Sequence, residues 1–185
     1  MTRIAGIAGS LRQQSFNRGL LRAAADLAPA GTSIDIVSID KIPLYNADKE
    51  EAVGIPASVE RMKEMIASSD GLLLVTPEYN NGIPGVFKNA IVWASRPASD
   101  IPRIFYGRPV AVIGASPGGF GTILAQNGWL PVLRTLRARP WLEGRLLVSR
   151  AGSAFDEEGD LVHEEVRAQL KDFITGFAAS ISGRA

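Results

Sequence analysis

Short apolar runs alternate with longer stretches in which apolar positions recur at helical spacing, and this alternation repeats five times along the chain. The run 3–8 ("RIAGIA") predicts a buried strand. Leu20, Leu21, Ala24, Leu27 and Ala28 then predict a helix over 17–28. The stretch 33–39 ("SIDIVSI") alternates apolar and polar residues, as a strand nearer a sheet edge does. A loop with Pro43, Asn46 and Asp48 leads to a second helix over 56–69, with Val59, Met62, Met65 and Ile66 on one face. Runs 71–76 and 109–115 are apolar throughout and read as strands covered on both faces. Between them, 84–95 predicts a helix with Pro84 suited to its first turn. A helix over 120–138 is expected to be interrupted at Pro131, which lacks a backbone donor. A fifth strand over 145–149 and a last helix over 161–181, capped by Asp160, complete the pattern.

Five strands alternating with helices require crossover connections, so the sheet is mostly parallel and doubly wound. The expectation is one α/β domain over 1–185, with no repeat or low-complexity linker. In such sheets ligands bind beyond the carboxyl ends of the strands, where strand order reverses. For the order 2-1-3-4-5 that place lies between the first and third strands. Loops 9–17, 76–83 and 116–122 would meet there.

Composition narrows what those loops can do. Hydrophobic residues make up 46% and charged residues 21%, the balance of a globular protein, not a disordered one. A net charge of +1 leaves no electrostatic footprint for nucleic acid or an anionic membrane surface. The absence of cysteine excludes disulfides, thiol nucleophiles and thiolate metal sites. The start, "MTRIAGIAGSLR", is too short an apolar run for a membrane span and lacks signal-peptide anatomy, so a cytoplasmic location is expected. His163 is the one histidine, and "DEEGD" (156–160) lacks the alternating ligands of a calcium loop, so no metal site is expected. No G-x-S-x-G elbow supplies a nucleophile. A cofactor carrying the chemistry is the reading this shortage of catalytic side chains favours.

"GSLRQQSFN" (9–17) supports two readings. Ser10, Ser15 and Asn17 with Arg12 can hold an anion at a helix N-terminus. Ser15 or Asn17 can equally cap that helix while Gly9 turns the chain. "TPEYNNGIPG" (76–85) carries strong turn chemistry in Asn80, Asn81 and Gly82, with Glu78 and Tyr79 placed to pack against a flat heterocycle. "ASPGGFGT" (115–122) carries Gly118, Gly119 and Gly121, which permit close backbone approach to a ligand.

Together, "GSLRQQSFN", "TPEYNNGIPGVFKNAIVWAS" and "ASPGG" resemble the NADPH-dependent FMN reductase family, over nearly the whole chain. The resemblance implies a flavodoxin-like, five-stranded doubly wound fold and reduction of a small acceptor (quinone, free flavin, azo compound or chromate). It implies FMN as cofactor and NADPH or NADH as reductant. It assigns Ser10, Arg12, Ser15, Phe16 and Asn17 to the phosphate and ribityl end of FMN. Pro77, Glu78, Tyr79 and Asn80 would line the isoalloxazine, with Asn81 and Gly82 close by, and Ser116, Gly118 and Gly119 would close its other side. It makes the segment 88–93 a supporting helix and the protein a homodimer or homotetramer. Two positions depart from the pattern: residues 122–126 ("TILAQ") lack an arginine common in relatives, and Pro131 stands in a helix that in relatives runs on. The competing reading is a flavodoxin-type electron carrier without reductase activity, although such carriers are usually strongly acidic.

Overall fold

In the computed structural model, which describes residues 1–183, the apolar runs pair side by side in parallel. Arg184 and Ala185, the end of the expected domain, lie outside the described residues. β1 (Thr2–Ala8) sits between β2 (Thr32–Val37) and β3 (Gly71–Val75), and β4 (Pro109–Ala115) lies beyond β3. β5 (Arg139–Pro140) completes the order β2-β1-β3-β4-β5, the flavodoxin-like arrangement expected from the sequence. Alternate residues of each central strand point to opposite faces. Leu73 and Val75 join a core beneath α1 (Phe16–Asp26) and α7 (Glu164–Ser182). Leu72 and Leu74 join a second core beneath α3 (Ala57–Ala67), α4 (Gly85–Ala94), α5 (Ile101–Phe105) and α6 (Ile123–Thr135). Covering on both faces is what makes 71–76 and 109–115 apolar throughout. Among the described residues, no helix is long and apolar enough to cross a membrane.

The structure departs from the sequence expectations at several places. The fifth strand position is split: β5 pairs with Pro109 and Val110, and a separate β6 (Leu147–Val148) pairs with Gly114 and Ala115. Trp141 closes the first piece: its backbone N–H donates to Val110 O at 2.8 Å, while its ring docks on Phe173 and Phe177 of α7 at centroid distances of 4.9 and 5.6 Å. Secondly, α6 is continuous through Pro131, because buried Trp129 and Leu133 fix both halves to the core. Thirdly, α7 begins at Glu164, not at 161, and Asp160 does not cap it. The Asp160 carboxylate instead accepts from Arg22 at 2.7 Å, and Glu164 and Glu165 occupy the first turn, where the helix dipole favours acids. Finally, Met65 of α3 stays 37% exposed while Val59, Met62, Lys63 and Ile66 form the buried stripe. Two short helices, α2 (Ala47–Val53) and α5, occupy segments the pattern left as loop.

Candidate active site

The three loops converge beyond the carboxyl ends of β1, β3 and β4. Gly9 leaves β1 while its N–H donates to Val75 O at 2.9 Å. A Cβ there would stand 2.1 Å from the ring of buried Phe87, so only glycine fits this exit. Ser15 caps α1, accepting from Asn17 N at 3.3 Å. Asn17 spends its side-chain amide elsewhere: Nδ2 donates to Ala115 O at 2.8 Å, and Oδ1 accepts from Ala115 N at 2.9 Å. It therefore ties the first loop to the end of β4. Ser10 is 3% exposed, and its hydroxyl accepts from Arg12 N at 3.3 Å. The Arg12 guanidinium lies exposed, 5.9 Å from the centre of the Phe16 ring.

The second loop turns on Asn80 and Asn81, at φ 48° and 61°. Tyr79 and Gly82 exchange backbone hydrogen bonds of 3.2 and 3.0 Å across them. Two positive φ values make this a type I′ hairpin, for which asparagine is suited. The Tyr79 hydroxyl lies 3.3 Å from Ser10 Oγ, so hairpin and first loop meet across the cleft. Glu78 turns its carboxylate to α6, where Oε2 accepts from Leu124 N at 2.8 Å and Ala125 N at 2.9 Å.

The third loop is stitched to the chain after β6. Ser116 N donates to Val148 O at 3.0 Å, Ala151 N to Ser116 O at 3.1 Å, and Arg150 N to Gly118 O at 2.9 Å. Gly118 N donates to Ser116 Oγ at 3.2 Å, and open space surrounds Gly119 where a side chain would stand.

The three loops enclose a cleft of about 230 Å3. It is lined by Ser10, Arg12, Ser15, Phe16 and Asn17 from the first loop, Pro77, Glu78 and Tyr79 from the second, and Ser116 from the third. Asn80, Asn81 and Gly82 form the hairpin beside it, and Gly118 and Gly119 the adjoining loop, without lining the cleft itself. Ala115 and Pro117 line it as well. Their place in "ASPGG" was the only signal for them, since neither carries a functional group. Larger hollows of about 360 Å3, between α4 and α6, and about 410 Å3, beside Pro29 and Thr175, lie away from these loops. Hydroxyls and backbone donors converge in the smaller cleft. Two carboxylate clamps lie outside it. The Arg96 guanidinium holds Glu50 below its ordinary range, and the Lys63 ammonium does the same to Asp100.

The chain is similar to known proteins along most of its length. The chain is 44% identical over 169 residues to an NAD(P)H-dependent FMN reductase of Pseudomonas aeruginosa, covering 91% of this chain and 89% of that one. It is 40% identical over 182 residues to a 2-hydroxy-1,4-benzoquinone reductase of a Burkholderia species, covering 98% and 97%. The solved structure of FerB, a flavoenzyme NAD(P)H:(acceptor) oxidoreductase from Paracoccus denitrificans, superposes with a TM-score of 0.87 at 33% identity. That superposition covers 100% of this chain and 99% of FerB. The family model described as NADPH-dependent FMN reductase matches residues 2–153, and the chain belongs to that family.

Proposed function

We propose that residues 1–185 form one FMN-binding domain that passes hydride from NAD(P)H through FMN to a small acceptor by a ping-pong cycle. One observation carries the reading: three loops far apart in sequence converge on a single donor-lined cleft at the point where strand order reverses. The residues suit FMN. Backbone amides at the start of α1, the buried Ser10 hydroxyl and the free Arg12 guanidinium are the donor set a phosphate needs. A cleft of about 230 Å3 is smaller than the roughly 300 Å3 of an ordinary small-molecule pocket. It therefore suits the phosphate and ribityl tail, and leaves a flat ring to the hairpin and glycine loop at its mouth.

FMN held there would supply the two-electron chemistry. The chain supplies position and charge. Ser10, Ser15 and Arg12 hold the phosphate, with Phe16 beside them, and Asn17 fixes their loop to β4. Pro77, Tyr79, Asn80, Asn81 and Gly82 form one wall for the ring; Ser116, Gly118 and Gly119 form the other. Backbone N–H groups along these walls would stabilise negative charge that develops on the reduced ring. No side chain need move a proton.

Quinones are the acceptor class that relatives' names favour, among them the benzoquinone reductase. Assembly as a homodimer or homotetramer is the expectation that the family resemblance carries. Sedimentation velocity reads that state.

The deciding experiment is an anaerobic absorbance spectrum of the FMN-loaded protein before and after NADPH. The flavin band should bleach and return when benzoquinone is added. A band that NADPH and NADH both leave intact would mark an electron carrier without reductase activity. Double-reciprocal plots at several quinone concentrations should be parallel, and intersecting lines would refute the ping-pong cycle.

A further inference from the structure

Glu78 lies between Pro77 and Tyr79 on the cleft wall, yet its carboxylate is committed to another element. Its Oε2 accepts the amides of Leu124 and Ala125, the second and third residues of α6, at 2.8 and 2.9 Å. Those are the amides a helix normally satisfies with the side chain of its own N-cap residue. Here the N-cap residue is Thr122, and it makes no capping bond. The Thr122 hydroxyl accepts from Gln126 Nε2 at 3.0 Å instead. It also packs so closely on Gly114 that a Cβ there would stand 2.3 Å away. The cap is thus supplied by a residue 46 positions earlier, from the cleft loop that follows β3. Gln126 carries the connection onward, donating to Leu146 O at 2.9 Å just before β6.

We infer that Glu78 is a positioning residue of the flavin site, a strut that sets the spacing between the 77–82 wall and the 116–122 wall. This rests on the flavin reading above, but assigns Glu78 a task other than contact with the ring. Both walls are loops, each tied to its own surroundings by backbone bonds, and loops are more mobile than the elements they join. Glu78 fixes one wall directly onto the helix that follows the other. The slot for a flat ring is then preformed, and binding need not spend free energy on ordering it.

The test titrates apoprotein with FMN and with riboflavin, which lacks the phosphate, following quenching of flavin fluorescence. In Glu78→Ala both affinities should fall by the same factor, about tenfold, which is about 1.4 kcal/mol. In Glu78→Gln the amide oxygen can still accept both N–H groups, so affinity should return to within about threefold of wild type. Hydrogen exchange at Leu124 and Ala125 in the apoprotein should quicken in Glu78→Ala and not in Glu78→Gln. Unchanged flavin affinity in Glu78→Ala would overturn the strut. So would a loss confined to FMN, which would place Glu78 at the phosphate end, or a Gln variant as weak as the Ala variant, which would make charge the essential property. Wild type that binds neither flavin would sink the functional reading and the strut's purpose with it, whereas unchanged exchange would sink the strut alone.

Discussion

Arg12 of the first loop and Asn17 of the first turn of α1 stand five positions apart, yet they answer to different parts of the molecule. The Asn17 side chain is buried and satisfies both backbone groups of Ala115, 98 residues away. Replacing it by leucine would leave that N–H and C=O inside the fold without these partners. The expected cost is about 2–3 kcal/mol, read as a lower urea midpoint of the apoprotein. Arg12 is exposed, and beyond its place over the Phe16 ring its guanidinium makes no hydrogen bond or ion pair among the described residues. Arg12→Ala should leave the urea midpoint nearly unchanged and weaken FMN binding about ten- to a hundredfold, the worth of one charge-assisted bond to phosphate. An FMN affinity that survives this change would remove Arg12 from the phosphate site. The residue types of this loop were legible as cap-or-anion chemistry, and Ser15 does cap α1. The orientation of Asn17 was not legible, because its partner sits on a strand whose place beside the loop only the folded sheet decides.

At the scale of elements, legibility followed how local the cause was. β1, β3 and β4 are buried on both faces, so each appears as an unbroken apolar run. The Asn80–Asn81 turn was equally plain, because positive φ is a demand on residue type alone. α2 has no buried residue and therefore no apolar stripe; its one local signal is Asn46, which caps it by accepting from Asp48 N and Lys49 N. Where the fifth strand splits, Trp141 packs on Phe173 and Phe177 of α7, a contact that neither segment reveals alone. α6 is the instructive case, since Pro131 is a valid local reason to end a helix and packing overrode it. The override has a cost: the Pro131 ring crowds the preceding turn and leaves the Asn127 carbonyl without its helical donor. Pro131→Ala should restore that bond and raise stability by roughly 1–3 kcal/mol. In thermal melts this amounts to roughly 2–4 °C per kcal/mol for a chain of this size. An unchanged melting point would mean that the helix already relaxes around the proline without strain.

Across the whole molecule, the two carboxylate clamps lie on the side of the sheet covered by α3, α4 and α5, one tying α2 to the end of α4 and the other α3 to the start of α5. Glu50 of α2 accepts from Arg96 Nε at 2.8 Å just beyond α4, and Tyr45 donates its hydroxyl to the same carboxylate at 2.9 Å. Lys63 of α3, whose side chain is fully buried, meets Asp100 at 2.6 Å just before α5. The hydrogen bond from Arg96 holds the Glu50 carboxyl below its ordinary value, and that from Lys63 lowers Asp100 likewise. A carboxyl group depressed in the folded state binds fewer protons there than in the unfolded chain, so stability falls as pH falls. The contribution is complete above the unfolded values of about 4.3 and 3.9, and is lost as the pH drops through the lower folded values. Neither clamp touches the cleft, so acid should loosen the α2 to α5 face without first releasing the cofactor. Urea midpoints measured from pH 7 down to pH 3 should therefore fall below about pH 5. In Glu50→Gln the midpoint should start lower at pH 7 and fall less steeply, because one titrating group has been removed. A variant with the wild-type slope would place the acid sensitivity in other carboxylates and reduce the Glu50–Arg96 pair to a surface contact of little weight.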